Sequence, residues 1–94
     1  MERKRVRARV YGRVQGVAFR EYTRQEAVRL GLSGWVGNRP DGTVEVVCEG
    51  ASSQVDTLVA WLAIGSPFSQ VSRVERTEES PRDDTPSFFV RHFS

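Results

Sequence analysis

An α+β sandwich, with two helices on one face of a mainly antiparallel sheet, is the fold class this sequence predicts. Three observations predict it. Short runs of alternating apolar and polar residues recur along the chain, the mark of half-buried strands. Two intervening segments change to an apolar spacing of three to four residues, the mark of amphipathic helices. The resulting order is strand, helix, strand, strand, helix, strand, with a short final strand, and a strong turn signal separates the second strand from the third.

The first strand covers residues 5–12. Val6, Ala8 and Val10 fall on one side; Arg5, Arg7, Arg9 and Tyr11 fall on the other. The stretch from Gly12 to Phe19 contains two glycines and breaks the alternation. From Phe19 the period is helical, and Phe19, Tyr22, Thr23, Glu26, Ala27 and Leu30 share one stripe. Gly31 follows where a left-handed residue would end the helix. Residues 33–39 form the second strand around Trp35 and Val36, with Trp35 and Phe19 assigned to the core. Pro40-Asp41-Gly42 is a turn, and Asp41 belongs to its chemistry.

In the third strand Val44, Val46 and Cys48 point one way, and Glu45, Val47 and Glu49 the other, up to Gly50. The second helix begins near Ser53, with Asp56 three residues on as a capping pair. Val55, Leu58, Val59 and Leu62 make its core stripe, and Gly65 and Pro67 stop it. A fourth strand covers 70–79, a polar loop follows, and a last strand at 87–93 turns Phe88 and Val90 inward. Two βαβ units with a hairpin between them give the split βαβ, ferredoxin-like arrangement, in which the first and third strands are central neighbours.

With 94 residues the chain is read as one domain, 1–94, without repeat or linker. No apolar run is long enough to span a bilayer. The charged start, Met1-Glu2-Arg3-Lys4-Arg5, reads against a secretory signal. The single cysteine, Cys48, cannot pair internally and reads as a reduced, buried thiol of a cytoplasmic protein. One Cys and one His make a dedicated zinc site improbable, and His92 is assigned to the surface or a sheet edge.

Arg5, Arg7 and Arg9 invite an RNA-binding reading, because RNA-recognition modules share this topology. Those modules stack bases on aromatic residues of the central strands, whereas here the outward side chains are Glu45, Val47 and Glu49. Arg–Glu pairing across an open sheet face is expected instead, each exposed pair contributing about 0–1 kcal/mol. Nucleic acid is therefore not an expected partner.

The informative segment is Gly12-Arg13-Val14-Gln15-Gly16-Val17-Ala18-Phe19-Arg20. It joins a strand to a helix start, where unpaired N–H groups and a positive dipole end favour phosphate. Gly16 can adopt the angles that turn successive N–H groups inward. Val17 and Ala18 bring no reactive side chain, which suits a loop working through its backbone. The Arg20 guanidinium can bind two phosphate oxygens at once. By spacing alone, a plain glycine-containing connection with an exposed arginine explains the segment equally well. Asn38, before the turn, reads as a turn former or as an amide aimed at a water molecule or phosphate oxygen.

Taken together, this segment and Gly34-Trp35-Val36-Gly37-Asn38-Arg39-Pro40-Asp41-Gly42-Thr43-Val44 resemble the acylphosphatase family over essentially the whole chain. The pattern departs at Gly37, where relatives usually carry a larger side chain. The resemblance implies hydrolysis of small acyl phosphates to a carboxylate and inorganic phosphate, without cofactor or metal; a monomer is the default expectation, although an exposed edge strand could pair. Carbamoyl phosphate and 1,3-bisphosphoglycerate are typical candidates. It assigns Arg20 to phosphate binding and Asn38 to the catalytic water. The backbone of Gln15, Gly16, Val17, Ala18 and Phe19 would complete the phosphate cradle. The alternative is a non-enzymatic ferredoxin-like module that binds small anions or a partner protein.

Overall fold

The computed structural model describes residues 2–93. Strand β1 (Arg3–Arg13) leads to helix α1 (Phe19–Arg29), then to the hairpin β2 (Ser33–Asn38) and β3 (Val44–Ala51). Helix α2 (Ser52–Ile64), strand β4 (Gln70–Glu79) and the short β5 (Phe88–Val90) complete the chain. The sheet order is β4-β1-β3-β2-β5, antiparallel throughout except for the parallel β2–β5 pair. This is the ferredoxin-like α+β sandwich, with β1 and β3 adjacent at its centre as the element order predicts.

The core lies between the helices and one sheet face. Val6, Ala8, Val10, Val44, Val46 and Cys48 meet Phe19, Ala27, Val55, Leu58 and Leu62 there, all essentially inaccessible to solvent. Burial pushes the Cys48 thiol up to about 12, so it remains protonated and apolar in character. Helix α1 buries a narrower stripe than its sequence suggests: Phe19, Thr23 and Ala27 face inward, while Tyr22 is exposed. Its end follows the glycine signal. Gly31 takes φ 72°, Gly31 N–H donates to Val28 O at 3.0 Å, and Leu32 N–H donates to Ala27 O at 2.9 Å, which is a Schellman cap.

Three expectations are corrected. The Ser53–Asp56 capping pair does not form. Helix α2 starts one residue earlier, Ser52 N–H donates to Glu2 O at 2.9 Å, and Asp56 accepts from Lys4 Nζ at 2.9 Å. Trp35 is buried, but on the face away from the helices, beneath the guanidinium groups of Arg7 and Arg91. That face is also not open. Glu45 is 3% exposed, Glu49 2% and Arg5 5%. The segment after β4 crosses the face: the N–H groups of Arg82 and Asp83 donate to the Glu49 carboxylate at 3.0 and 2.9 Å. Long arginine stems fill the remaining area while their heads pair with the acids.

Candidate active site

Three pieces of chain meet at one end of the sheet. The first is the connection from β1 to α1. A register shift in the β1–β4 ladder between Tyr11 and Gly12 bends the strand as it leaves the sheet. Gly16 (φ 74°) and Ala18 (φ 59°) then both adopt left-handed backbone angles. Alternation of left- and right-handed residues is the geometry that aims successive N–H groups at one point. Holding a non-glycine residue there costs about 1–2 kcal/mol. No N–H group of Gln15 to Arg20 donates to the hairpin, to β4 or to the chain end among the described residues. The Val17 side chain packs on the core while its carbonyl accepts from Ser66 Oγ at 3.3 Å, so the loop is pinned through its acceptor side.

Arg20 stands in the first turn of α1 and makes no ion pair with any described residue. Its neighbour Glu21 is otherwise engaged: Arg24 donates to both carboxylate oxygens at 2.8 and 2.7 Å, and Gln25 adds a third bond. The hydrogen bonds from Arg24, then Gln25, hold the Glu21 carboxyl down at about 2. Among the described residues Arg20 is thus the uncommitted charge at this helix start.

The second piece is the β2–β3 hairpin. Gln15 Nε2 donates to Arg39 O and Thr43 O, both at 2.8 Å. These carbonyls flank the turn, so one side-chain amide ties the loop to the hairpin. The turn is itself set by Asp41, whose carboxylate accepts from Thr43 N at 3.0 Å and Thr43 Oγ1 at 2.6 Å. Asn38 ends β2 opposite Val44. Its Oδ1 is buried and has no hydrogen-bond partner among the described residues, and no other described buried side-chain polar atom is in that state.

The third piece is the chain end. A cleft of ≈ 350 Å³ is lined by Val14, Gly16, Ala18, Phe19, Arg20 and Glu21 from the loop and α1, and by Val90 and His92 from the chain end. The expected surface placement of His92 holds, yet its position is on the rim of this cleft. Gln15, Val17 and Asn38 stand outside the cleft lining itself.

The sequence model of one family, Acylphosphatase, matches residues 6–90. This chain belongs to the acylphosphatase family. It is 53% identical over 88 residues to an acylphosphatase of Rubrobacter xylanophilus, covering 94% of this chain and 80% of that one. It is 51% identical to an acylphosphatase of Thermococcus kodakarensis, covering 86% of this chain and 89% of that one. The crystal structure of acylphosphatase from Bacillus subtilis superposes with a TM-score of 0.90 at 39% identity, over 94% of this chain and 98% of that chain.

Within this acylphosphatase-family site, sequence reasoning missed the Gln15 side chain, the strained Ala18 and the cleft wall formed by His92. The Gly37 departure now has a local reason. A Cβ at position 37 would lie 2.6 Å from Arg91 O and 2.6 Å from the Phe93 ring. The chain end occupies the space that a side chain would need. No cluster of three His, Cys, Asp or Glu suited to a metal ion occurs among the described residues. Among the described residues no helix is long and apolar enough to cross a membrane.

Proposed function

We propose that this protein is an acylphosphatase, hydrolysing the carboxyl–phosphate bond of small acyl phosphates to a carboxylate and inorganic phosphate. The observation that carries this reading is the Asn38 carboxamide oxygen, buried and unpartnered, on the hairpin that Gln15 ties to an N–H-rich loop. An unpaired buried acceptor costs about 1–3 kcal/mol. In the proposed reaction the attacking water supplies the missing hydrogen bond.

The backbone N–H groups of Gln15, Gly16, Val17, Ala18 and Phe19, with the Arg20 guanidinium, hold the phosphoryl oxygens. Asn38 orients water for in-line attack on phosphorus. The bond from phosphorus to the acyl oxygen breaks, the carboxylate leaves with the bonding pair, and the water proton ends on a phosphoryl oxygen. A carboxylate is a good leaving group, so the step needs positioning and charge stabilisation more than a strong general acid. The protein acts without metal or cofactor, as a cytoplasmic monomer. Neither nucleic acid nor membrane is a partner; Arg5, Arg7 and Arg9 are committed to carboxylates on the sheet face.

Benzoyl phosphate hydrolysis, followed by absorbance, tests the reading. Arg20→Ala is expected to lose inhibition by phosphate and, like removal of an oxyanion donor, to lose a factor of about 10²–10³ in turnover. Asn38→Ala is expected to lower kcat while phosphate still inhibits. Near-normal kcat in Asn38→Ala would end the water-orienting role. Full activity is expected in EDTA, and inactivation by the chelator would contradict a metal-free reaction. An anion-binding module would bind phosphate yet leave benzoyl phosphate intact.

A further inference from the structure

The cleft has two walls of different origin. The loop and helix start supply the phosphoryl-binding side, with Gly16, Ala18 and Arg20. The facing wall, Val90 and His92, comes from the chain end and is separate from that cradle. Ligand clefts typically measure about 300–1,000 Å³, so a space of ≈ 350 Å³ accommodates a small substrate with its acyl group as well as its phosphoryl group. With the phosphoryl group on the loop, the acyl group extends towards Val90 and His92.

The placement of His92 is determined by its neighbours. Arg91 N–H donates to Val36 O at 2.8 Å, continuing the β2–β5 pairing by one residue. Phe93 meets Trp35 edge-on with ring centroids 5.6 Å apart, and the Arg39 guanidinium lies 3.9 Å above the Phe93 ring. Arg91 also lies over Trp35, at 4.9 Å. Residues 91 and 93 are therefore held on the face away from the helices. Alternation along an extended chain turns residue 92 to the opposite face, which is the cleft side. The seat for Phe93 is Gly37.

Two charged side chains of α1 line the same cleft, Arg20 and Glu21. Arg20 is taken by the phosphoryl group in the proposed reaction. Both oxygens of Glu21 are occupied by Arg24. The imidazole is then the polar side chain on the acyl-facing wall, beside apolar Val90.

We propose that His92 is a specificity-determining residue, which binds the far end of the acyl group and favours acyl phosphates bearing a second acidic group. The inference rests on the acylphosphatase reading and extends it to the substrate class. Val90 packs along the short carbon chain, and the His92 N–H donates to the terminal carboxylate or phosphate. Hydrogen bonds to a charged group are the stronger kind, so this contact acts mainly on KM.

The test compares succinyl phosphate with butyryl phosphate, which share a four-carbon acyl chain and differ in a terminal carboxylate. The protein is expected to show a KM for succinyl phosphate lower by about tenfold, the effect of one charge-assisted hydrogen bond. In His92→Leu the ratio of the two KM values is expected to collapse towards one. In His92→Lys, which keeps a donor to carboxylate, the ratio is expected to return. Thermal melting of both variants checks that the exposed position leaves folding intact. A KM ratio near one in the unmodified protein, or a ratio that survives His92→Leu, overturns the assignment. Hydrolysis of neither substrate, nor of benzoyl phosphate, removes the acylphosphatase reading itself and the inference with it.

Discussion

Gln15 has no acid–base chemistry, yet its amide nitrogen reaches the carbonyls on both sides of the hairpin turn. Each of those carbonyls also accepts a backbone hydrogen bond, Arg39 O from Gly42 and Thr43 O from Arg39. Removing the amide therefore leaves the hairpin closed but detaches it from the phosphate loop. Gln15→Leu is expected to cost about 1–3 kcal/mol in urea unfolding and to lower kcat more than phosphate affinity. If kcat and stability both held, the bridge would carry no positioning role. This residue also shows where sequence reading stops. Gly16 and Arg20 are legible because their consequences are local: one frees the backbone and the other sits in the first helical turn. The Gln15 contact spans 24 and 28 residues and exists only once the fold has brought the hairpin alongside. The strained Ala18 is equally silent, since alanine is ordinarily content in a helix. Asn38 was legible as a candidate by residue type; its unpaired oxygen is a property of the surrounding packing.

Strands and helices were legible to within a residue or two, because period and turn chemistry act over a few neighbours; the exception is the last strand, read as 87–93, whose ladder ends at Val90. What the period could not show was what covers the second sheet face. Glu45 and Glu49 alternate with apolar residues and read as solvent-facing, but the crossing segment after β4 covers Glu49, and the guanidinium groups of Arg7 and Arg39 close on Glu45. The chain end in turn depends on Gly37 in β2. Adding a methyl group there brings a Cβ to 2.6 Å from Arg91 O, a backbone atom, as well as from the Phe93 ring. The ring can swing away, but the carbonyl cannot move without lifting the segment from β2. Gly37→Ala is expected to destabilise the protein by about 1–3 kcal/mol, the usual range for overpacking. Adding Phe93→Ala should not restore the loss, because the carbonyl collision remains. Full recovery in the double variant would show that the ring alone seats this end.

At the scale of the whole molecule, the buried acids of β3 set how the fold responds to pH. Burial alone would push the Glu49 carboxyl up. The N–H groups of Arg82 and Asp83, then Arg5 and Arg3, outweigh that and hold it at about 2. Glu45 follows the same logic: burial raises it, and Arg7 and Arg39 more than reverse the effect. Both groups are more acidic folded than unfolded. Their contribution to stability is therefore fully present above the unfolded carboxylate value, near 4.5, and is lost as pH falls from there through about 2. Urea midpoints are expected to be flat from neutral pH down to about pH 5.5 and to drop steeply between about pH 5 and 2. Part of any acid sensitivity comes from exposed pairs such as Arg24–Glu21, which salt screens. The Glu49–Arg5 pair is shielded from solvent on both sides, so its share should persist at high salt. Glu49→Gln separates the two. It is expected to be less stable at pH 7, since Arg5 stays buried without its counter-charge, but to lose less on acidification. Parallel pH profiles for the two proteins in high salt would mean that Glu49 does not couple the crossing segment to the sheet.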